Sequence, residues 1–343
     1  MRASAVVATL PALISSASAF LLLPSFTHFS LHTNCQPTDE IVVEEEEPYF
    51  MQCNAVPVTP DGKVCHLGLA PGECANRVVT CGSFSRGEEL AALLTHTTRI
   101  HSTRGFTTHT GTFEGVAVSI VVAQMGGPNM DFVLRETRQV VEGDMLMIRF
   151  GSCAGTTADM QDISLAICNG STYIAQNPDA WSDPDPTSSG IEQSYRISRC
   201  LPGGGHRPLG SLVAPDKELT AALLKELEEG MGDEACKACV NASTDSFYGS
   251  QGRQDVNFDD RNQDLIAHVM QAFPTLRTLE METFFLLHLA RLAQQPALRI
   301  RAAAVSMVLA NRELNTAVAA DAVAPLERLA GAAILRAITR FPL

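Results

Sequence analysis

The sequence predicts an α/β protein in which a largely parallel sheet is covered on both faces by helices. The first observation behind this is that short β-branched runs, several closed by glycine, alternate with segments of helical spacing from about residue 62 onward. The second is size. A chain of 343 residues, 45% hydrophobic and 18% charged, carries enough apolar surface for one full-sized core. No internal repeat breaks it into smaller units.

Taken in order, "NRVVTCGS" is a β-branched run ending in a glycine turn, and "RGEELAALL" after it has helical spacing. "VAVSIVVAQMGG" reads as a buried strand stopped by Gly-Gly. "PNMDFVLRETRQVVEG" is a helix opened by Pro128 and closed by Gly143. "DMLMIRFGS" and "ISLAICNGS" are strands. Residues 171–211 carry "DPDPTSSG" and "LPGGGH" and read as a long surface loop. A helix "DKELTAALLKELEEG", a short strand "ACVNAS", and helical segments over 259–272 and 276–292 follow. The strand "IRAAAVSMVLA" and a helix over 318–340 complete the chain.

Composition excludes some functions. Twenty-five Lys and Arg against 38 Asp and Glu give a formal charge of −13, and no basic patch marks a nucleic-acid footprint. A small anion remains a candidate ligand, because inward-facing arginines outweigh the global charge at short range. Ten cysteines at irregular spacings do not form a disulfide framework, and the one C-x-x-C, Cys236 to Cys239, lacks a second pair at zinc spacing. Packed, reduced thiols are expected.

The N-terminus supports two readings. "MRASAVVATLPALISSASAFLLLPSF", with Ala17-Ser18-Ala19, fits a secretory signal, while Pro11 and the serines make it a poor membrane span. Residues 27–50 form a polar, acidic linker, and Met51 offers an alternative start that would make the preceding segment a dispensable extension. The expected division is therefore a tail, 1–50, and one domain, 51–343. Cytoplasmic localisation is expected, with secretion as the alternative if the segment acts as a signal.

Ligands of open α/β sheets sit at the carboxyl ends of the strands, and the unusual residues fall there. "GSFSR", 82–86, pairs a glycine for close approach with Arg86. "RFGSCAG", 149–155, carries Arg149, Gly151 and Ser152 on a strand expected to be buried, where an arginine calls for an anionic partner. With Arg104, three guanidinium groups, glycine N–H groups and a hydroxyl suit a tetrahedral oxyanion such as phosphate, although each arginine alone reads as a surface ion pair. In "TLEMETFFLLHLARL", read as a core helix, Glu280 and Glu282 flank Met281. Such carboxylates suit a vicinal diol, although by themselves they read first as an acidic first turn that favours the helix dipole. "STDSFYGSQGRQD", 243–255, sets Gln251 and Arg253 beside Phe247 and Tyr248.

Together these residues resemble the nucleoside phosphorylase family, specifically its uridine phosphorylase branch. "CHLGL" at 65–69 is similar to the branch's "HLGL", "GSFSR" to "GDPxR", "RGFTT" at 104–108 to "REFTT", and "MGGP" at 125–128 to "IGGP". "RFGSCAG" is similar to "RIGTTGA", "STDSFYGSQGR" to "SSDTFYPGQER", and "EMET" at 280–283 to "EMES". The seven motifs keep their order over roughly residues 62–340. The resemblance implies a three-layer α/β/α nucleoside phosphorylase fold with a mixed, mostly parallel central sheet, and phosphorolysis of uridine to uracil and ribose 1-phosphate in pyrimidine salvage. A purine nucleoside phosphorylase, a hydrolytic nucleosidase of this fold and a non-catalytic nucleoside-binding protein are the alternatives.

Site roles follow from the resemblance position by position. Gly82, Arg86, Arg149 and Ser152 would bind phosphate, with Arg104 reaching it from a neighbouring subunit. His66 would cross the same interface to the ribose 5′-hydroxyl, and Met281 and Glu282 would hold the ribose. Phe247 would stack on uracil while Gln251 and Arg253 read its O2, N3–H, O4 edge, an edge that an amide beside a donor-only guanidinium complements. Arg253, Gln251 and Glu282 would also stabilise the separating charges of the reaction. No cofactor is implied, inorganic phosphate being a co-substrate, and a homodimer or higher homo-oligomer with shared sites is. Purine-specific relatives carry a Ser-Asp pair where this chain has Asn311-Arg312, which favours a pyrimidine. Gly105 replaces the glutamate that helps hold an interface cation in the bacterial motif, so no metal is expected there.

Overall fold

A computed structural model of the protein describes residues 54–161, 163–182, 190–197, 212–293, 296 and 298–343. The expected tail, 1–50, and much of the expected 171–211 loop lie outside the described residues.

The strands are β1 (Arg77–Cys81), β2 (Thr95–His101), β3 (Thr107–Phe113), β4 (Val116–Val122), β5 (Met145–Gly155), β6 (Leu165–Gln176), β7 (Tyr195–Ile197), β8 (Cys236–Thr244), β9 (Leu276–Glu280), β10 (Ile300–Asn311) and β11 (Thr316–Ala317). The helices are α1 (Phe84–Ala91), α2 (Gly127–Val140), α3 (Ile191–Ser194), α4 (Lys217–Met231), α5 (Leu265–Ala272), α6 (Thr283–Leu292) and α7 (Ala320–Arg340). The strands join one mixed sheet in the order β11-β10-β6-β8-β9-β5-β1-β4-β3-β2, with β7 on β6. β10 also pairs with β5, so β5, β10, β6, β8 and β9 close into a ring. The pairs β1–β4, β1–β5, β5–β10, β6–β8 and β8–β9 are parallel, and antiparallel pairs supply the outer arm and close the ring.

Strand periodicity explains the layers. On β5, Leu146, Ile148 and Phe150 point into one core with Leu90 of α1, Leu219 and Leu223 of α4, and Ile334 and Ile338 of α7. Met145 and Met147, one residue out of phase, point into the other core with Met130 and Leu134 of α2 and Leu286 and Leu287 of α6. The centre of the sheet is thus buried on both faces. A third cluster packs α5, through Leu265 and Val269, on Ile174, Leu276 and Leu279.

Three sequence expectations need correction. Residues 171–211 are not loop from their start: Ser171–Gln176 is the second half of β6, paired with β8 and β7, with Ser171 and Ile174 completely buried. Residues 276–292 are not one helix: Leu276–Glu280 is β9, paired with β8 and β5, and the helix begins at Thr283. A five-residue strand with only two apolar residues, Leu276 and Leu279, beside a longer helical pattern has no period of its own to separate it, and long-range pairing decides the outcome. The hairpin β2–β3 is also absent from the sequence reading. Its strands, "THTTRIH" and "TTHTGTF", are rich in Thr, and β2 is almost wholly exposed at the sheet edge, so no hydrophobic alternation announces them. Cys236 and Cys239 both lie on β8, where an odd separation sends side chains to opposite faces, and both are free thiols.

Ile148 is completely buried at the centre of β5. Ile148→Ala is expected to destabilise the domain by about 2–5 kcal/mol, whereas Val256→Ala at a fully exposed position should stay within about 0.5 kcal/mol. Urea unfolding of the two variants checks this.

Candidate active site

The carboxyl ends of the central strands converge on a cavity of about 380 Å³. Gly82 and Ser83 enter it after β1, Gln124 and Met125 after β4, and Arg149 and Ser152–Ala154 from the second half of β5. Phe247, Gln251 and Arg253 follow β8, Leu279 and Glu280 end β9 with Met281 and Glu282 just after it, and Leu309 and Ala310 lie at the end of β10. Arg86, in the first turn of α1, also lines it.

At its centre lies a buried ion cluster. Arg149 donates from Nη2 to the Glu282 carboxylate, approaches Glu280 Oε2 at 3.2 Å, and reaches Ser306 Oγ from Nη1 at 3.3 Å. Gly151 makes this possible, since a Cβ there would lie 1.6 Å from Arg149 Nη1. Burial alone would lower the Arg149 pKa, but the two carboxylates outweigh it and raise it.

The two glutamates differ in what they have left to offer. Glu280 accepts from Asn241 Nδ2 at 2.8 Å, from the Glu282 N–H at 2.9 Å, from the Thr283 N–H and hydroxyl at 3.0 Å each, and from Ser243 Oγ. Burial would push its carboxyl up, yet Arg149 and these donors hold it below the usual carboxylate range. Its acceptor sites are filled. Glu282 takes one bond on each oxygen, from the Gly126 N–H and from Arg149, so one lone pair per oxygen stays uncommitted. Burial, with Glu280 nearby, raises its pKa despite Arg149.

Arg86 is buried at the floor. Its Nε donates to Glu327 Oε1 at 2.9 Å and Nη1 to the Phe150 carbonyl at 3.1 Å. Ser83 caps α1 by accepting the Arg86 N–H. Gly82 must be glycine because a Cβ would meet the Gln124 carbonyl oxygen at 2.8 Å. Gln124 itself sits at a φ of 59° in the left-handed region, and its side chain donates to the Gly105 carbonyl at 2.8 Å.

The 247–253 loop forms the other wall. Arg253 lies over the Phe247 ring, its Cζ 3.5 Å from the centroid, and donates to Gln251 Oε1 at 2.6 Å. Thr244 hydroxyl points to the Glu280 carbonyl and so accepts from Gln251 Nε2 at 3.0 Å, which fixes the amide's orientation. Gln251 keeps one N–H and one lone pair beyond these bonds. Burial, and then the nearby Arg312, lower the Arg253 pKa to about 10.

The cavity therefore gathers Gly82, Arg86, Arg149, Ser152, Phe247, Gln251, Arg253, Met281 and Glu282. His66 and Arg104 do not line it. His66 stacks on Phe132 with centroids 3.9 Å apart and bonds to Glu136, while Arg104 is exposed in the turn before β3. The two segments touch, since a Cβ on Gly68 would lie 3.3 Å from Ser102 Cβ.

Sequence reasoning missed the supports. Glu327 is 241 positions from Arg86 and carries no motif. Asn241, Ser243 and Thr283 saturate Glu280, and Arg312 donates to the Gln251 and Gly252 carbonyls at 2.9 and 3.2 Å, anchoring the loop to the end of β10. Asn311-Arg312 was legible as a departure from the purine pattern, but not as this anchor.

The phosphorylase superfamily model matches residues 76–340, and the chain belongs to that superfamily. A uridine phosphorylase of Thermococcus kodakarensis is 28% identical over 261 residues, which is 76% of this chain and 81% of the relative. Among solved structures, one described as a uridine phosphorylase of the oomycete Phytophthora capsici superposes with a TM-score of 0.76 at 38% identity, covering 86% of this chain and 100% of the other. A Trypanosoma brucei nucleoside phosphorylase, at 17% identity and a TM-score of 0.65 over 83% of this chain and 100% of its own, shares the fold.

Arg149→Met leaves two buried carboxylates unpaired and is expected to cost about 3–5 kcal/mol of stability. Arg104→Ala, at an exposed position, is expected to cost less than about 0.5 kcal/mol. Chemical denaturation of both variants measures the contrast.

Proposed function

We propose that the chain is a uridine phosphorylase, cleaving uridine with inorganic phosphate to uracil and ribose 1-phosphate. The observation that carries this is the content of one cavity: Arg86 and Arg149 for an oxyanion, Glu282 with uncommitted lone pairs for a diol, and the oriented Gln251–Arg253 pair for a planar polar edge. The Phytophthora capsici relative, at 38% identity, supports the same reading.

The roles follow from the chemistry. A phosphate oxygen bonds to the ribose anomeric carbon as the glycosidic C–N bond breaks and its electron pair leaves with uracil. Positive charge grows on the sugar and negative charge on the base, so placement of charges and donors matters more than a strong acid. Glu282, sharing the ribose with Met281, stabilises the sugar cation, and Arg253 and Gln251 stabilise the uracil anion. Gly82, Arg86, Arg149 and Ser152 hold phosphate. Phe247 offers a ring face to the base, with Arg253 covering the other face.

Charge balance supports a shared site. Arg86 is cancelled by Glu327, and Arg149 faces two carboxylates, so the phosphate end of one chain has no formal excess of positive charge. A phosphate dianion needs another cation, which we assign to Arg104 of a second copy, with His66 beside it. The unit is then at least a homodimer. Seven free thiols among the described residues fit a cytoplasmic enzyme.

The test is uracil release from uridine by the purified chain, with and without inorganic phosphate, with inosine in parallel. Phosphate-dependent release with inosine untouched is expected. Release without phosphate would make it a nucleosidase, and inosine cleavage would overturn the base assignment. Arg253→Ala should lower turnover by about a hundredfold or more, as the loss of one transition-state donor does.

A further inference from the structure

We propose that Glu327, on α7, is the positioning residue that presents Arg86 to the phosphate co-substrate. This rests on the phosphorylase reading and extends it to a residue outside the cavity.

Glu327 stands on the core face of α7, in register with Ala330, Ile334 and Ile338, which are completely buried, and is itself only 4% exposed. A carboxylate among such neighbours is unfavourable unless something pairs with it. Its partner is the Arg86 guanidinium, also 4% exposed, with Nε at 2.9 Å from Glu327 Oε1. The next residue, Arg328, faces outward and pairs with Glu89, so the inward turn of the carboxylate belongs to position 327 alone.

The pairing fixes the geometry of Arg86. One N–H, on Nε, goes to Glu327, and one, on Nη1, to the Phe150 carbonyl at 3.1 Å, with Cζ 5.2 Å from the Phe150 ring centroid. A guanidinium is planar, so two bonds and a ring contact set its plane. Of its five N–H groups, three remain beyond these two bonds. Arg86 lines the cavity whereas Glu327 does not, so Glu327 acts through Arg86 and touches no substrate. A merely structural tie between α1 and α7 would predict loss of stability alone. A positioning role predicts that phosphate binding follows the reach of the acceptor at position 327.

Two variants separate reach from charge. Glu327→Gln keeps an oxygen at the distance Nε needs and removes the charge. Glu327→Asp keeps the charge and withdraws the oxygens by about 1.5 Å. The measurement is calorimetric titration of the full chain with inorganic phosphate alone, together with KM for phosphate and for uridine. Glu327→Gln is expected to bind phosphate at least as tightly as the parent, because the acceptor stays while the charge that cancels Arg86 goes, and Glu327→Asp to lose about tenfold with the KM for uridine unchanged, the scale of a lost charge-assisted hydrogen bond. Parent-like phosphate binding in folded Glu327→Asp overturns the proposal, as does equal loss for phosphate and uridine. So does a Glu327→Gln variant that loses as much as Glu327→Asp. A parent that binds no phosphate sinks the phosphorylase reading as well, whereas a parent that binds it with both variants unaffected sinks only the role of Glu327.

Discussion

A guanidinium buried between two carboxylates, Arg149 with Glu280 and Glu282, is the constraint on which the rest of the structure depends. Removing three charges from water is costly, and the attraction among them offsets this only if the remaining donors and acceptors are satisfied. Strands supply those partners. Asn241 and Ser243 come from β8, Ser306 from β10, and Thr283 from the first turn of α6. Those strands belong to the ring that β5 closes with β10, so the ring brings the partners of the cluster together.

The same cluster divides the labour of two residues that look alike in "EMET". Glu280 has its acceptor sites filled and holds the end of β9 to the start of α6. Glu282, two residues on, is free to turn one lone pair of each oxygen toward a ligand. Backbone geometry separates them: Glu280 closes a strand and Glu282 is the N-cap of the helix. A carboxylate whose pKa is raised by burial beside an arginine, in a cavity, is what a functional site is expected to contain.

Much of this was legible in the sequence, and the remainder was illegible for identifiable reasons. The buried strands declared themselves through continuous apolar runs, and the glycines after β1 and within β5 marked places where the backbone or Arg149 comes close. The anionic partner expected for a buried arginine is there, supplied by Glu280 and Glu282. Local pattern did not separate β9 from α6, because five residues do not establish a period. It did not show the β2–β3 hairpin, whose strands carry threonines where an apolar alternation would stand. It had no means of linking Glu327 to Arg86 across most of the chain, because only the packing of α7 against α1 brings them together.

The central claim is that one chain leaves the oxyanion end of the cavity electrically closed, and that a second copy completes it with Arg104. The direct measurement is complementation between two variants, Arg104→Ala and Arg253→Ala, assayed separately and then after dissociation and reassociation as a mixture. If sites are shared, random pairing makes half the dimers mixed with one intact site in each, and activity should recover to about a quarter of the parent's. A mixture no more active than its components would contradict the account and place each complete site within a single chain.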